Sequence, residues 1–448
     1  MIEFATLFLG LILGPQQVEL LVHDNVAAIE VVLDHQVVGR LNQPPWQLTV
    51  DLGEELAPHV LEAVAFGSSG TEIGRVDQWI NTSTQQARVS ILIDRSTEGQ
   101  GMQARVAWES MTEHPEPESV DIELDGQPLE VVDTRRFDLP RVDLEQTHLL
   151  RVELRFSGNL EVGAEAVFGG PYTDRVATEL TAIPVLVAGR RGLPPISEMR
   201  DWFSISGEPL EVRAVEKGRT DIIVVRDLAT IETLRQRAAI GPITVAGKVD
   251  RLRDNSVIIS AGGTETPRDA LLKEDHDLRF VTPVARQVER ERYRYQLFPP
   301  SPRISRQDGK LLWLFASVLP RTANPQHQRL ADAVAVAGME AAKPDRRRLV
   351  LLIVGPDPVD HSQLSPSDAL GFLRHLRVPI AVWTPVAKSA KVGPWGTTVD
   401  ISNRQRLIGA YKALSKQLDR QRIVWLDGLH LPQSITLSPE AKGIRLVE

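Results

Sequence analysis

Carboxylate and hydroxyl side chains follow two short apolar runs in the second half of the chain. Asp227 and Thr230 come after residues 222–225, Ile-Ile-Val-Val, and Asp357 follows residues 349–354, Leu-Val-Leu-Leu-Ile-Val. Oxygen ligands of this kind are the ones that Mg²⁺ binds in proteins. If the two runs are neighbouring parallel strands, these side chains lie at one edge of a sheet, where open α/β sheets bind ligands.

The spacing of apolar residues favours such a sheet. Short β-branched runs stopped by Gly or Pro are typical of strands buried on both faces, and from residue 221 they alternate with segments of helical periodicity. This alternation predicts an α/β doubly wound, Rossmann-like domain. The expected helices are residues 227–239, 311–319, 328–342, 365–377 and 404–420. The expected strands are residues 222–225, 349–354, 379–383 and 422–426, with hairpins at 243–261 and 289–295.

The first half of the chain shows a different pattern, with short alternating strands and frequent turn residues, which is typical of a β-sandwich. Residues 120–127, Val-Asp-Ile-Glu-Leu-Asp-Gly-Gln, repeat the pattern of residues 29–36, Ile-Glu-Val-Val-Leu-Asp-His-Gln. His148 corresponds to His59 in the same register, and Trp46 is an expected core anchor. These correspondences predict two tandem Ig-like β-sandwiches.

The changes of pattern divide the chain into five segments. They are an apolar N-terminal segment at 1–16, Ig-like sandwiches at 17–84 and 85–171, a connector with strands at 172–218, and the α/β domain at 219–448. The first segment is either a signal-peptide remnant or a plain first strand. Its apolar core has signal-peptide length, but no basic residue precedes it, so both interpretations stay open.

Composition limits the classes of function. The chain has 448 residues, of which 42% are hydrophobic and 25% charged, as in globular multidomain proteins. A net charge of -8 argues against a nucleic-acid partner. The absence of cysteine excludes disulfides and zinc–thiolate sites. No apolar run reaches the length of a membrane-spanning helix, so we expect no integral membrane span.

The order of elements from residue 221 onward resembles a von Willebrand factor A domain. With residues 329–338, Arg-Leu-Ala-Asp-Ala-Val-Ala-Val-Ala-Gly, and Gln-Pro-Pro-Trp at 43–46, the whole chain resembles the von Willebrand factor A-related proteins of Acidobacteria. The resemblance implies a bacterial, periplasmic or extracellular protein that binds other proteins. It also implies a metal-ion-dependent adhesion site, built from Asp-x-Ser-x-Ser after the first strand, a distant Thr and an Asp after the fourth strand.

This chain departs from that motif. Residues 227–231 read Asp-Leu-Ala-Thr-Ile, so Ala229 and Ile231 stand where the family has serines, and Val-Gly-Pro at 354–356 replaces the usual Thr-Asp-Gly. The distant Thr aligns only with Thr322. We therefore expect a degenerate site with no metal and no cofactor. A shifted Mg²⁺ site, if present, uses Asp227, Thr230 and Asp357.

The residues suggest no catalytic constellation, so we expect a non-catalytic protein for protein–protein interaction or adhesion, with unidentified protein partners. Three alternatives stay open: a Mg²⁺-dependent adhesion module, a structural or filament-forming surface protein that self-assembles, and a hydrolase. The hydrolase would use Asp357, Asp360 and His361 beneath a lid formed by residues 393–398. The basic run at 346–348 is expected to be a solvated turn. A cytoplasmic location also stays open.

Overall fold

A computed structural model describes most of the chain. The described residues are 2–4, 6, 8, 11–22, 26–82, 87–95, 102–110, 116–156, 160–169, 180–188, 193–230, 249–251, 257–259, 272–290, 293–298, 300–301, 303–304, 324–343, 346–385 and 393–447. The expected helix at 311–319, Thr322, Ile231 and most of the expected helix at 227–239 lie outside them.

The first β-sandwich packs a three-stranded sheet, in the order β1-β2-β5, against a four-stranded sheet in the order β4-β3-β6-β7. Its strands are β1 (Ile2–Phe4), β2 (Pro15–Val22), β3 (Ala28–Leu33), β4 (Gln36–Leu41), β5 (Gln47–Asp51), β6 (His59–Phe66) and β7 (Glu72–Ile80). Ile2 is buried in the same core as Val18 and Ile29, and Trp46 packs against it. The apolar N-terminal segment thus supplies the first strand of this sandwich.

The second β-sandwich repeats this arrangement, with sheets in the orders β12-β9-β8 and β11-β10-β13-β14. Its strands are β8 (Ala87–Arg95), β9 (Met102–Ser110), β10 (Ser119–Leu124), β11 (Gln127–Pro128), β12 (Arg136–Asp138), β13 (Thr147–Phe156) and β14 (Leu160–Gly169). Strand for strand, the two sheets have the order found in the first sandwich. The prediction of tandem β-sandwiches is confirmed at this level.

The repeated sequence pattern corresponds to a repeated hydrogen-bonded turn. In the first sandwich, Asp34 Oδ2 lies 2.7 Å from His59 Nδ1 and Asp34 Oδ1 accepts a hydrogen bond from the amide of Val60 at 2.9 Å. In the second, Asp125 makes the same contacts with His148 and Leu149 at 2.7 and 2.9 Å. In each sandwich the aspartate therefore joins the hairpin turn to the strand that carries the histidine, β6 in the first sandwich and β13 in the second. This explains why both residue types recur at the same spacing.

Sixteen further strands lie beyond the sandwiches in the described part of the chain, and five of them form one parallel sheet. The strands from residue 180 to 297 are β15 (Leu180–Val187), β16 (Phe203–Ile205), β17 (Glu208–Leu210), β18 (Val212–Glu216), β19 (Thr220–Arg226), β20 (Val249–Arg251), β21 (Val257–Ile259), β22 (His276–Val281), β23 (Arg286–Arg290) and β24 (Tyr293–Leu297). The later elements are α1 (Leu330–Ala341), β25 (Arg347–Ile353), α2 (Pro366–His375), β26 (Ile380–Thr384), β27 (Val399–Asp400), α3 (Arg404–Leu418), β28 (Gln421–Asp427), β29 (Thr436–Leu437) and β30 (Ile444–Leu446).

A five-stranded sheet in the order β22-β19-β25-β26-β27, parallel throughout, forms the centre of the C-terminal half. Helices α1 and α2 share a core with one of its faces, and α3 shares a core with the other. Alternate residues of β25 belong to the two cores: Val350 and Leu352 to the first, Leu349 and Leu351 to the second. The continuous apolar run is thus explained by burial on both faces.

Strand β28 does not belong to the parallel sheet. Residues 422–426 were predicted as the last strand of the α/β domain, but β28 pairs antiparallel with β15 and β18 in a separate four-stranded sheet, β18-β28-β15-β30. The segment expected as a connector therefore shares a sheet with the C-terminal residues. An apolar strand pattern predicts burial of the strand, but it does not specify which strand lies beside it.

The basic run at 346–348 is buried, so the prediction of a solvated turn is wrong. Arg347 is 0% exposed. Its guanidinium pairs with Asp275 at 2.5 Å and donates to the carbonyl of Leu418, in the last turn of α3, at 3.1 Å. Arg348 donates to the carbonyl of Ala182 at 3.2 Å. These arginines satisfy main-chain carbonyls and carboxylates where elements meet, which compensates for their burial.

Candidate binding edge of the parallel sheet

The carboxyl ends of β19 and β25 are adjacent at the point where the strand order reverses. β22 follows β19 in sequence and lies on one side of it, whereas β25 lies on the other. In open α/β sheets, ligands bind in the crevice beside such a switch point. Asp227 directly follows β19, and Gly355 lies just beyond β25, so the structure places the expected site residues at this edge.

The carboxylate of Asp227 is buried and accepts hydrogen bonds from three neutral donors. Its Oδ1 accepts hydrogen bonds from Gln328 Nε2 at 2.9 Å and from the amide of Ala229 at 3.1 Å. Its Oδ2 accepts one from the amide of Gly355 at 3.2 Å. Asp227 is 2% exposed. The N–H donors of three different residues therefore surround this carboxylate.

Gln328 connects three segments at this edge. Its Nε2 also donates to the carbonyl of Val359 at 2.7 Å, and its Oε1 accepts a hydrogen bond from the amide of Leu228 at 3.0 Å. The side chain is completely buried. The sequence indicated Gln328 only as the first residue of a helix, and α1 begins two residues later. No local pattern pointed to a contact with a residue about a hundred positions earlier.

Thr230 lies beside Asp227 but does not present its hydroxyl to the crevice. Its Oγ1 donates to the main-chain carbonyl of Asp227 at 2.7 Å, and the residue is buried. A Cβ on Gly355 would lie 2.7 Å from Thr230 Cγ2 and 3.2 Å from Asp227 Oδ2, so the loop after β25 packs directly on this pair. A residue larger than glycine would displace that loop.

Asp357 lies apart from the other two residues of the shifted metal site. It is exposed, and no contact recorded among the described residues joins it to Asp227 or Thr230. Across the same described part of the chain, no group of three or more His, Asp or Glu side chains is arranged to hold a metal ion. The structure brings Asp227 and Thr230 together, but not all three residues.

Asp360 caps helix α1 from a neighbouring loop. Its carboxylate accepts hydrogen bonds from the amides of Leu330 and Ala331 at 2.8 and 3.3 Å, and from the Ser362 hydroxyl at 2.6 Å. These helix amides have no intrahelical partner, so a carboxylate there stabilises the helix N-terminus. The loop after β25 is thereby fixed to α1.

The hydrolase arrangement loses its support at this edge. His361 is exposed, and in the described part of the chain only its main-chain amide has a hydrogen-bond partner, the carbonyl of Gln328 at 2.9 Å. That alternative makes residues 393–398 a lid, but Trp395 of this segment is buried in the same core as Phe372 of α2. A buried tryptophan anchors this segment, so the prediction of a lid is wrong.

Comparisons with known proteins add little to this geometry. No protein-family model and no curated protein matches the chain. Two solved structures are similar to parts of it. One is of fibronectin(III)-like modules of Clostridium thermocellum CbhA, at 11% identity and a TM-score of 0.16, covering 38% of this chain and 93% of that one. The other is a beta-glucuronidase from glycoside hydrolase family 2, at 13% identity and a TM-score of 0.17, covering 47% of this chain and 31% of that one.

None of the described helices is long and apolar enough to cross a membrane.

Proposed function

We propose that the chain is a non-catalytic, exported protein that mediates protein–protein interaction or adhesion through two Ig-like sandwiches and a metal-free A-type domain. The observation that carries the proposal is the engagement of Asp227 by Gln328 and two main-chain amides. We also propose that the C-terminal half is similar to von Willebrand factor A domains. The parallel sheet, with helices on both faces and a switch point at Asp227, supports this likeness.

The chemistry of the edge supports a metal-free domain. Mg²⁺ requires near-octahedral oxygen coordination at about 2.1 Å and leaves little room for substitutes. Here the Nε2 of Gln328 donates to Asp227, and the Thr230 hydroxyl donates to a main-chain carbonyl. Each of these hydrogen bonds uses oxygen lone pairs that a cation at this edge would otherwise share. Recognition by this domain therefore relies on surface complementarity rather than on a bridging cation.

The first sandwich offers an edge strand suited to contact with a partner. In the described part of the chain, β4 pairs only with β3 and forms the border of its sheet. It exposes Val37 and Val38, which are 62% and 44% accessible. Its counterpart β11 in the second sandwich has only two residues, one of them Pro128. A long edge with exposed valines accepts strand addition, whereas a short edge with proline resists it.

The metal-free edge predicts how the chain responds to Mg²⁺. Up to millimolar Mg²⁺, the melting temperature of the full chain should not change, because no site gains binding free energy from the ion. Thermal melts of the native chain and of Asp227→Ala, each with and without Mg²⁺, measure this. A rise in the native chain that Asp227→Ala abolishes would support the Mg²⁺-dependent adhesion module instead.

The exposed edge predicts where a partner binds. Val38→Lys should reduce retention of a partner protein from native extract by the immobilised chain, because a charge on an edge strand opposes strand addition. Val132→Lys is the matched control, since Val132 is fully exposed on the second sandwich, away from β4. Sedimentation over a range of concentrations separates partner binding from self-assembly. Equal retention of the partner by both variants would show that β4 is not the binding surface. If the native chain retains no protein from native extract, the proposed binding function is contradicted.

A further inference from the structure

The outer face of the second sandwich carries a row of charged side chains. The outer face of a sandwich is usually exposed to solvent, but these side chains are largely buried. Along β13, the inward side chains of Leu150, Val152 and Leu154 form the core. The outward side chains of Arg151 and Glu153 alternate with them, and 11% and 20% of their areas are exposed. Strand periodicity predicts the alternation but not this burial. Another part of the chain covers these side chains.

Glu153 is held by two arginines of the C-terminal half. Its carboxylate accepts hydrogen bonds from Arg303 at 2.8 Å and from Arg346 at 3.2 Å. Burial alone would raise the pKa of Glu153, but the charges of Arg346 and Arg303 outweigh it and lower the pKa to about 2. The carboxylate is therefore ionised throughout the physiological range.

The same two arginines bind carboxylates at the amino ends of β19 and β22. Arg346 pairs with Asp277 at 3.0 Å and with Asp221 at 3.5 Å, and Arg303 pairs with Asp221 at 3.4 Å. Arg303 also pairs with Glu161 on β14 of the sandwich at 2.9 Å. Each guanidinium thus bridges a carboxylate of the sandwich and a carboxylate of the parallel sheet.

A second contact joins the same face to the antiparallel sheet. Arg151 pairs with Glu216 on β18 at 2.5 Å, and Glu216 also accepts a hydrogen bond from the indole of Trp425 on β28 at 2.9 Å. The Arg151 guanidinium carbon lies 6.0 Å from the centre of the Trp425 ring. The sandwich therefore touches two different sheets of the C-terminal half through one face.

A cavity of about 880 Å³ lies beside this contact. Arginines and carboxylates line the cavity, together with apolar side chains of the sandwich. The charged residues include Arg219, Arg303, Arg346, Glu153, Glu161 and Asp277. Charges of both signs line the cavity and several are paired across its walls, so the lining does not present a single sign of charge to an ion. Its geometry fits a polar joint between two parts of one chain better than a ligand pocket.

We propose that the outer face of β13 is an intramolecular docking surface that holds the second sandwich rigidly on the amino end of the parallel sheet. While the joint is closed, removal of one member of these buried ion pairs leaves an uncompensated buried charge, which is strongly destabilising. Loss of one member therefore favours separation of the two parts, where water can solvate the remaining charge. The crevice at Asp227 lies at the opposite end of the same strands. The joint therefore leaves the candidate binding edge uncovered by the second sandwich.

The first sandwich provides a matched comparison. On its corresponding strand, β6, Glu62 pairs at 2.7 Å with Arg75 of the adjacent strand β7, and 53% of the Arg75 side chain is exposed. This pair lies within one sheet at the surface. A surface ion pair of that kind contributes little to stability, so its loss should leave the position of either sandwich unchanged.

Distance measurements on the full chain test the proposal. The chain has no cysteine, so Val132→Cys and Gln405→Cys, both at exposed positions, allow spin labels on the second sandwich and on α3. We expect one narrow distance distribution in the parent chain and in Glu62→Gln. Loss of that narrow peak is expected in Glu153→Gln, with the far-ultraviolet circular dichroism of the parent retained.

A second variant keeps the test decisive if Glu153→Gln does not fold. Arg151→Gln removes the contact with Glu216 and Trp425, together with longer pairs to Glu123 at 3.8 Å and Glu165 at 3.6 Å within the sandwich, and should also broaden the distribution. A broad distribution in the parent chain would overturn the proposal, as would a narrow one retained in every folded variant of Glu153 and Arg151.

Discussion

Replacement of Gln328 by leucine is expected to lower the free energy of unfolding by about 3 kcal/mol. The glutamine side chain is fully buried and makes three hydrogen bonds, to Asp227, to the carbonyl of Val359 and from the amide of Leu228. Leucine has a similar size but offers neither donor nor acceptor. Each partner left without its hydrogen bond costs about 1 kcal/mol or more when it is buried.

Urea unfolding of the full chain measures this difference. Gln326→Leu is the matched control, because Gln326 is exposed two residues earlier in the same segment, and it should stay within about 0.5 kcal/mol of the native chain. Equal stability of the two variants would mean that the Gln328 amide does not hold this edge together. The proposal of a metal-free A-type domain would then lose the observation that carries it.

Those parts of the fold that depend on local pattern could be predicted from the sequence. The apolar runs at 222–225 and 349–354 are buried strands of one sheet, as their composition indicated. Ser365 caps α2 together with Asp368 in a reciprocal hydrogen-bonded pair, an arrangement that the local sequence Ser-Pro-Ser-Asp at 365–368 favours. The Asp and His of each sandwich turn recur at the same spacing in sequence and in structure.

Features that depend on distant partners could not be predicted in this way. Gln328 is an ordinary polar residue in its local context, and only the fold brings it to Asp227. Arg346 lies in a basic run that usually indicates a solvated turn, but carboxylates of β13, β19 and β22 surround it. A sequence pattern reports the burial and periodicity of one element. The identity of the side chains opposite that element is fixed by tertiary structure.

Acidification from pH 6.5 to about 4 is expected to destabilise the chain through His276. The side chain is completely buried, and its Nδ1 lies 3.0 Å from the Tyr411 hydroxyl. Burial outweighs the attraction of Asp275 and lowers the pKa of His276 from 6.5 to about 4. Unfolding therefore takes up a proton between these two values, so the stability is present above pH 6.5 and is lost as the pH falls towards 4. A shift of this size corresponds to roughly 3 kcal/mol.

The neighbouring carboxylate Asp275 does not titrate in the same interval. Burial tends to raise its pKa, but hydrogen bonds from Arg347 and Lys217 hold the pKa of Asp275 far below its usual range. Its own contribution to stability is therefore lost only in more acidic solution, below the pKa of an unfolded aspartate. The interval between pH 6.5 and 4 thus isolates the buried histidine from this aspartate.

Urea unfolding at several pH values between 7 and 4 measures the free energy of unfolding of the native chain and of His276→Gln. The difference between the two curves separates the contribution of His276 from that of the other acidic and basic groups. Glutamine can still accept a hydrogen bond from Tyr411 but cannot be protonated, so the variant should lose less stability over this interval than the native chain does. His361→Gln is the matched control, because it makes the same replacement at an exposed position. Parallel curves for His276→Gln and the native chain would show that His276 is not held neutral by burial against α3.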